Sequence, residues 1–250
     1  MNDEIKHALI ARLTALADDE LILAHRNSEW TGHAPILEED IALANIAQDE
    51  LGHATVLYGL VEELTGTSPD QLAFFRDADA FRNVQLLELP KGDWAFTMLR
   101  QYLFDTYEHV LWNWVLETSY QPLVDVVTKF RGEELYHLRH SHIWVERLGL
   151  GTDESNQRMQ STLNMLWPYT AQLFTPMTAD EILVIHDLFV DVEALREPWS
   201  DMVLPHIENS GLALPVLPPN HAKRDEHTSY LTELLNDMQE VARWDPEAKW

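Results

Sequence analysis

The chain has 250 residues, 46% of them hydrophobic, enough for one large domain with a sizeable core or for two small ones. Its 42 acidic against 17 basic residues leave a formal net charge of −25, which speaks against nucleic-acid or anionic-membrane binding, where basic surface is the footprint. Cysteine is absent, which removes disulfides, iron–sulfur ligation and thiol nucleophiles. No signal-like N-terminus or 18-residue apolar run appears, so a cytoplasmic protein is expected.

Leu9, Leu13, Leu16, Ala17, Leu23 and Ala24 recur at helical spacing and predict a first helix over about Asp3 to Asn27. Trp30 to Pro35 reads as a turn. A second long helix is expected from about Leu37 to Leu64, stopping at Gly66. Thr67 to Gly92, with Pro69 and Pro90, reads as a long crossover holding one short helix. The third helix, about Asp93 to Ser119, is rich in aromatic residues that suit a core. Gln121-Pro122 then reads as a tight turn opening a fourth helix that ends near Leu148. Two hairpins joined by one long crossover make an all-α, ferritin-like four-helix bundle over about 3–150. Helices appended over about 151–250 complete a single domain: Asp153 to Phe174, one opened by a capping box at Thr178-x-x-Glu181, Asp191 to Asn209 kinked or broken at Pro198 and Pro205, and Glu226 to Trp244.

Two of these helices carry the same signature, Asp49-Glu50-x-x-His53 and Glu133-Glu134-x-x-His137. Residues three apart share a helix face, so each glutamate and histidine project together. About one such spacing arises by chance in a chain of this composition. This chain holds three, the third being Glu4-x-x-His7, so the surroundings must decide.

In a bundle, carboxylates at one level sit equidistant from their hairpin turn. Glu20 and Glu50 have their midpoint at Pro35, and Glu108 and Glu134 at Gln121. The neighbours of all four at helical spacing are apolar, for example Leu16, Leu23, Ile46, Leu57, Phe104, Leu111 and Phe130. Burying an ionised carboxylate is costly unless it is paired or bound to metal, and Arg131 is the one cation these stripes offer. Glu20, Glu50, His53, Glu108, Glu134 and His137 therefore form a candidate di-metal set that suits iron or manganese better than calcium. Asp49, Asp105 and Glu133 are placed to orient the ligands. The competing reading is a metal-free polar core of protonated acids and histidines, and Asp18 or Asp19 would replace Glu20 if the helix phase were shifted. His140 and His142 read as solvent or interface histidines. Phe81-Arg82-Asn83, Lys91 and Arg100 near the crossover are candidates to contact a phosphate-bearing ligand, against a plain surface role.

Several separated pieces, among them His25-Arg-Asn-Ser-Glu-Trp30, Gly32-His-Ala-Pro35, Asp40-Ile-Ala-Leu-Ala-Asn45, Tyr136-His-Leu-Arg139, Glu146-Arg-Leu-Gly and the stretch from His227 to Trp250, resemble the PaaC family. That family supplies the second ferritin-like subunit of the bacterial phenylacetyl-CoA epoxidase. The resemblance implies a structural partner for a catalytic PaaA-type subunit that holds the working di-iron centre, with a small bridging subunit and a reductase; homodimer contacts are compatible with it. In some members the metal ligands are lost, whereas this sequence keeps all six, so its cofactor is expected to be two iron ions, with manganese second, or none if the cage is vestigial. An independent ferritin-like di-iron oxidase or iron-handling protein is the alternative function. Trp30 and Trp244 are expected as exposed aromatic contacts for a partner.

Overall fold

In a computed structural model that describes residues 2–248, two long antiparallel hairpins form the core. Helix α1 (Asp3–Ser28) starts where the Asn2 side chain accepts from the Ile5 amide, and packs along α2 (Leu37–Thr65). Helix α2 ends at Gly66, whose φ of +79° is the left-handed conformation that closes helices. The crossover is more ordered than one short helix: it carries α3 (Pro69–Phe74), a 3-10 turn at Ala78–Ala80 and α4 (Gln85–Glu88).

Helix α5 (Trp94–Val115) is capped by Asp93 and ends four residues before the expected stop. Every residue from Trp94 to Glu108 is buried, because α6 (Gln121–Gly149), α7 (Asp153–Leu166) and α9 (Arg196–Asn209) cover it on several sides. A helix enclosed this way carries apolar side chains on several faces, which accounts for its aromatic content, and its buried polar residues Arg100, Gln101, Asp105 and Glu108 all need partners inside the protein. Gln121-Pro122 is not the turn; it forms the first turn of α6, where proline's missing N–H is no loss.

The appended segment departs from expectation in three places. Pro168 follows α7, and residues Trp167–Phe174 tighten into a 3-10 helix instead of continuing it. The capping box at Thr178 does not form: α8 (Asp180–Ile185) has Ala179 at its N-cap, and the Asp180 carboxylate instead accepts from the Met177 amide and binds Arg12. Helix α9 begins only at Arg196, which places Pro198 in its first turn, and it runs unbroken through Pro205 to Asn209. Helix α10 (Ser229–Trp244) lays Leu231, Leu234 and Leu235 on the crossover, and Gln239 donates to the carbonyls of Ala73 and Arg76.

The C-terminus of α6 packs closely against that of α9. A Cβ on Gly149 would stand 2.2 Å from the Ser210 carbonyl oxygen, so this approach requires glycine. Near the α1–α2 turn a separate small core collects Trp30, Leu43, Ile46, Trp94, Met98 and Trp144. Trp30 is only 8% exposed, donates to Thr97 and carries the Lys91 ammonium over its ring, so of the two expected contact tryptophans only Trp244 is exposed. Among the described residues no helix is long and apolar enough to cross a membrane, and no strand is present.

Candidate metal centre

Three successive acids, Asp18, Asp19 and Glu20, are buried on α1, and each meets a different fate. Asp18 accepts from Arg76, from the Tyr58 hydroxyl and from the Arg82 amide at 2.7 Å. Asp19 accepts from Arg224 at 2.7 Å and from the Val84 amide at 2.8 Å; burial still lifts its pKa to about 6 against the pull of that arginine. Neither oxygen of Glu20 has any hydrogen-bond partner. The phase of α1 is therefore the expected one: the crossover and the C-terminal segment neutralise the flanking acids and leave Glu20 for the interior.

Glu20 faces His53, whose Nδ1 lies 3.5 Å from Glu20 Oε2 and 3.0 Å from Glu134 Oε1. These three side chains place ligand atoms within 4.8 Å of one another, and all three are buried. The His53 ring stacks on Phe130 at 3.8 Å and stands 6.1 Å from His137. Glu108 feels the charges of Glu134, Glu20 and Glu50, and Glu50 those of His137 and Glu20, so these predicted positions neighbour the Glu20–His53–Glu134 group without belonging to it.

Each motif's leading acid serves the histidine of the other motif. Asp49 on α2 lies 3.2 Å from His137 Nε2, and Glu133 on α6 lies 2.9 Å from His53 Nε2. A proton on Nε2 donating outward leaves Nδ1 of His53 directed at Glu20 and Glu134, and Nδ1 of His137 buried and free of a hydrogen bond. Asp105 is held by Gln101 at 2.6 Å and by the Ser141 hydroxyl at 2.7 Å, with His137 close by.

Two site residues have no signature in the motifs. Asn27 and Gln101 both donate to the Glu50 carboxylate, Gln101 at 2.8 Å and Asn27 at 3.2 Å. Asn27 lies seven residues after Glu20 and Gln101 seven before Glu108, so each shares its neighbour's stripe. A polar residue two turns along a carboxylate-bearing stripe is the signal that finds them.

Protons make the metal-free set tolerable. Burial raises the pKa of Glu50 and of Glu108 well above the usual carboxylate range, reinforced for Glu108 by Glu134 and Glu20. Burial opposes the imidazolium of His53, but Glu134 and Glu20 outweigh it and push its pKa to about 12; Asp49 and Glu134 likewise bring His137 to about 9. Even so, both oxygens of Glu20 and of Glu134, one of Glu108, and Nδ1 of His53 and His137 are buried without a hydrogen-bond partner. Native interiors rarely strand polar atoms in this number. The mixed oxygen and nitrogen donors fit a transition-metal ion, which would displace the protons on binding. The buried Glu20–His53–Glu134 group can hold a metal.

The remaining candidates lie elsewhere. Phe81 and Asn83 are wholly buried, Asn83 donating to Glu88 at 3.1 Å, and Arg82 folds back on the carbonyls of Asp79 and Phe81. Arg100 is buried too and donates to the Leu89 carbonyl at 2.8 Å, and Lys91 donates to the Glu29 carbonyl at 3.0 Å, so the half-buried Arg82 and Lys91 are the cations of this group with any open surface. His140 is no solvent histidine: its Nε2 lies 2.7 Å from Glu39, which also accepts from Trp144. His142 stacks on His206 at 3.5 Å. Glu4 and His7, the third Glu-x-x-His spacing, are exposed.

The family model for "Phenylacetic acid catabolic protein" matches residues 1–250. The chain is also 39% identical over 245 residues to the C-type subunit of the 1,2-phenylacetyl-CoA epoxidase of Escherichia coli (strain K12), covering 97% of this chain and 99% of that relative.

Proposed function

This chain belongs to the phenylacetic acid catabolic protein family, and from that premise we propose that it is the C-type subunit of a multicomponent phenylacetyl-CoA 1,2-epoxidase. The observation that carries the reading is 39% identity over 97% of this chain and 99% of that relative. In this role the chain works in the cytoplasm, supports a separate catalytic PaaA-type di-iron subunit, and meets a small bridging subunit and a reductase. An independent iron oxidase is not favoured, because the likeness is to a subunit of an assembly.

The same reading includes a metal site of this chain's own, built on Glu20, Glu50, His53, Glu108, Glu134 and His137, with iron the first choice and manganese the second. Bound iron supplies one-electron and dioxygen chemistry. The chain's residues keep the ligands dry, since all six are at most 3% exposed. Asp49 and Glu133 fix which nitrogen of each histidine faces inward, and Asn27 and Gln101 hold Glu50.

Co-expression with a PaaA-type subunit is expected to give a stable complex. The purified chain, iron-loaded and supplied with the reductase, is expected not to epoxidise phenylacetyl-CoA; turnover by the isolated chain would overturn the supporting role. Elemental analysis after growth with added iron tests the site: Glu20→Ala should lose metal that the parent retains, and equal content in both would count against it.

A further inference from the structure

The six ligands are not equally ready. Glu20, His53 and Glu134 already sit together, with five donor atoms among them that no hydrogen bond occupies. Glu50, from the other half of the set, is differently placed. Asn27 Nδ2 reaches both its oxygens, at 3.2 and 3.4 Å, and Gln101 Nε2 donates to Oε1 at 2.8 Å.

The protons of these two amides are fully assigned. Asn27 has two, one for Glu50 and one for Gln101 Oε1 at 2.9 Å. Gln101 has two, one for Glu50 and one for Asp105 Oδ1 at 2.6 Å, and the other Asp105 oxygen accepts from Ser141 at 2.7 Å. Asn27, Gln101, Asp105 and Ser141 are 0–1% exposed, so no water competes for these bonds. Moving the Glu50 carboxylate toward an ion would break hydrogen bonds inside a network in which each amide proton has one acceptor. Buried bonds of this kind are expensive to leave unmade.

We propose that the site is asymmetric: one ion binds tightly at Glu20, His53 and Glu134, while a second, drawing on Glu50, Glu108 and His137, binds at least tenfold more weakly because Asn27 and Gln101 retain Glu50. Asn27 and Gln101 are then positioning residues that set the stoichiometry of the site. This rests on the metal reading above and adds to it that the chain is a one-ion protein at limiting metal.

The test is a titration of the chelator-stripped full-length chain with Mn(II), read by calorimetry and by electron paramagnetic resonance. One tight equivalent with the spectrum of an isolated Mn(II), followed by a second at least tenfold weaker, supports the inference. Gln101→Met and Asn27→Ala, with helicity checked by circular dichroism, are expected to narrow the gap between the two constants and bring up the signal of a coupled pair at lower Mn(II). Two equivalents of equal affinity in the parent would overturn the asymmetry while leaving the metal reading intact, and the parent alone decides this if a variant fails to fold. Folded variants with the parental ratio of constants would overturn the role of the amides. No Mn(II) bound at either position would overturn both readings together.

Discussion

Removing the Arg224 guanidinium should leave Asp19 buried without its cation, and the penalty should carry a pH signature. The pair is 3% exposed on both sides, and burial already lifts the carboxyl of Asp19 to about 6 with the arginine in place. This group's folded pKa lies above its ordinary 3.8, so its contribution to stability is intact below 3.8 and is lost as pH rises through about 6. In Arg224→Met the folded pKa climbs further. At pH 5 the carboxyl is largely protonated in both proteins, and the variant should lose about 1 kcal/mol, the worth of a neutral hydrogen bond. Between pH 6 and 8 only the parent ionises, so the deficit should grow by about 1.4 kcal/mol per pH unit and reach roughly 3–4 kcal/mol at pH 8. That agrees with the ~3–5 kcal/mol typical of breaking a buried pair from one side. For a chain of this length it corresponds to a fall of about 6–15 °C in Tm. The measurement is urea unfolding of both proteins at pH 5, 6, 7 and 8 with chelator present, so that other titrating groups cancel in the difference. Asp19→Asn combined with Arg224→Met should abolish the pH slope. A deficit equal at pH 5 and pH 8, or a slope that survives in the double variant, would refute the reasoning.

Gly149→Ala forces a methyl to 2.2 Å from the Ser210 carbonyl oxygen, and both partners are backbone at the ends of packed helices, so about 1–3 kcal/mol should be lost. Differential scanning calorimetry would show this as a Tm several degrees lower, and an unchanged Tm would mean that α6 and α9 slide apart freely. His206 is held down to about 4 by burial and by His142, while its Nε2–H donates to the His142 carbonyl at 3.2 Å. Its folded pKa lies below the ordinary 6.5, so its contribution is intact above 6.5 and is lost as pH falls toward 4. His206→Asn should therefore lose less stability than the parent between pH 7 and 4.5, read from urea midpoints; parallel curves would rule the group out.

The bundle is legible because helical periodicity and turn residues agree over long stretches, as in α1, α2 and α6, which run within a residue or so of their expected ends. Where prolines and short segments compete, at Thr178 and across 167–174, local signals mislead. Capping chemistry at Thr178 loses to a tertiary demand, since Asp180 is needed as the partner of Arg12, 168 residues away in sequence. At the metal centre, symmetry about the two turns and apolar neighbours bring out the four carboxylates. The cations escape for a plain reason: Arg131 is the one local candidate, whereas Arg76 and Arg224 reach Asp18 and Asp19 from 58 and 205 residues away. No periodicity encodes such a contact. The exchange of partners between Asp49 and Glu133 is hidden for the same reason, because adjacency in sequence suggests that each acid serves its own motif.

That exchange has a consequence for how the molecule assembles. The first hairpin holds His53 but not the acid that orients it, and the second holds His137 but not its acid; the two contacts span 80 and 88 residues. Neither hairpin alone can present a correctly set imidazole, however well its own helices form. Both rings fall into place only when the halves dock, which makes the order of the histidines a record of that last step. A chain cleaved within the crossover would thus be expected to regain both settings together or not at all, and a bound ion would favour the docked pair over either free half.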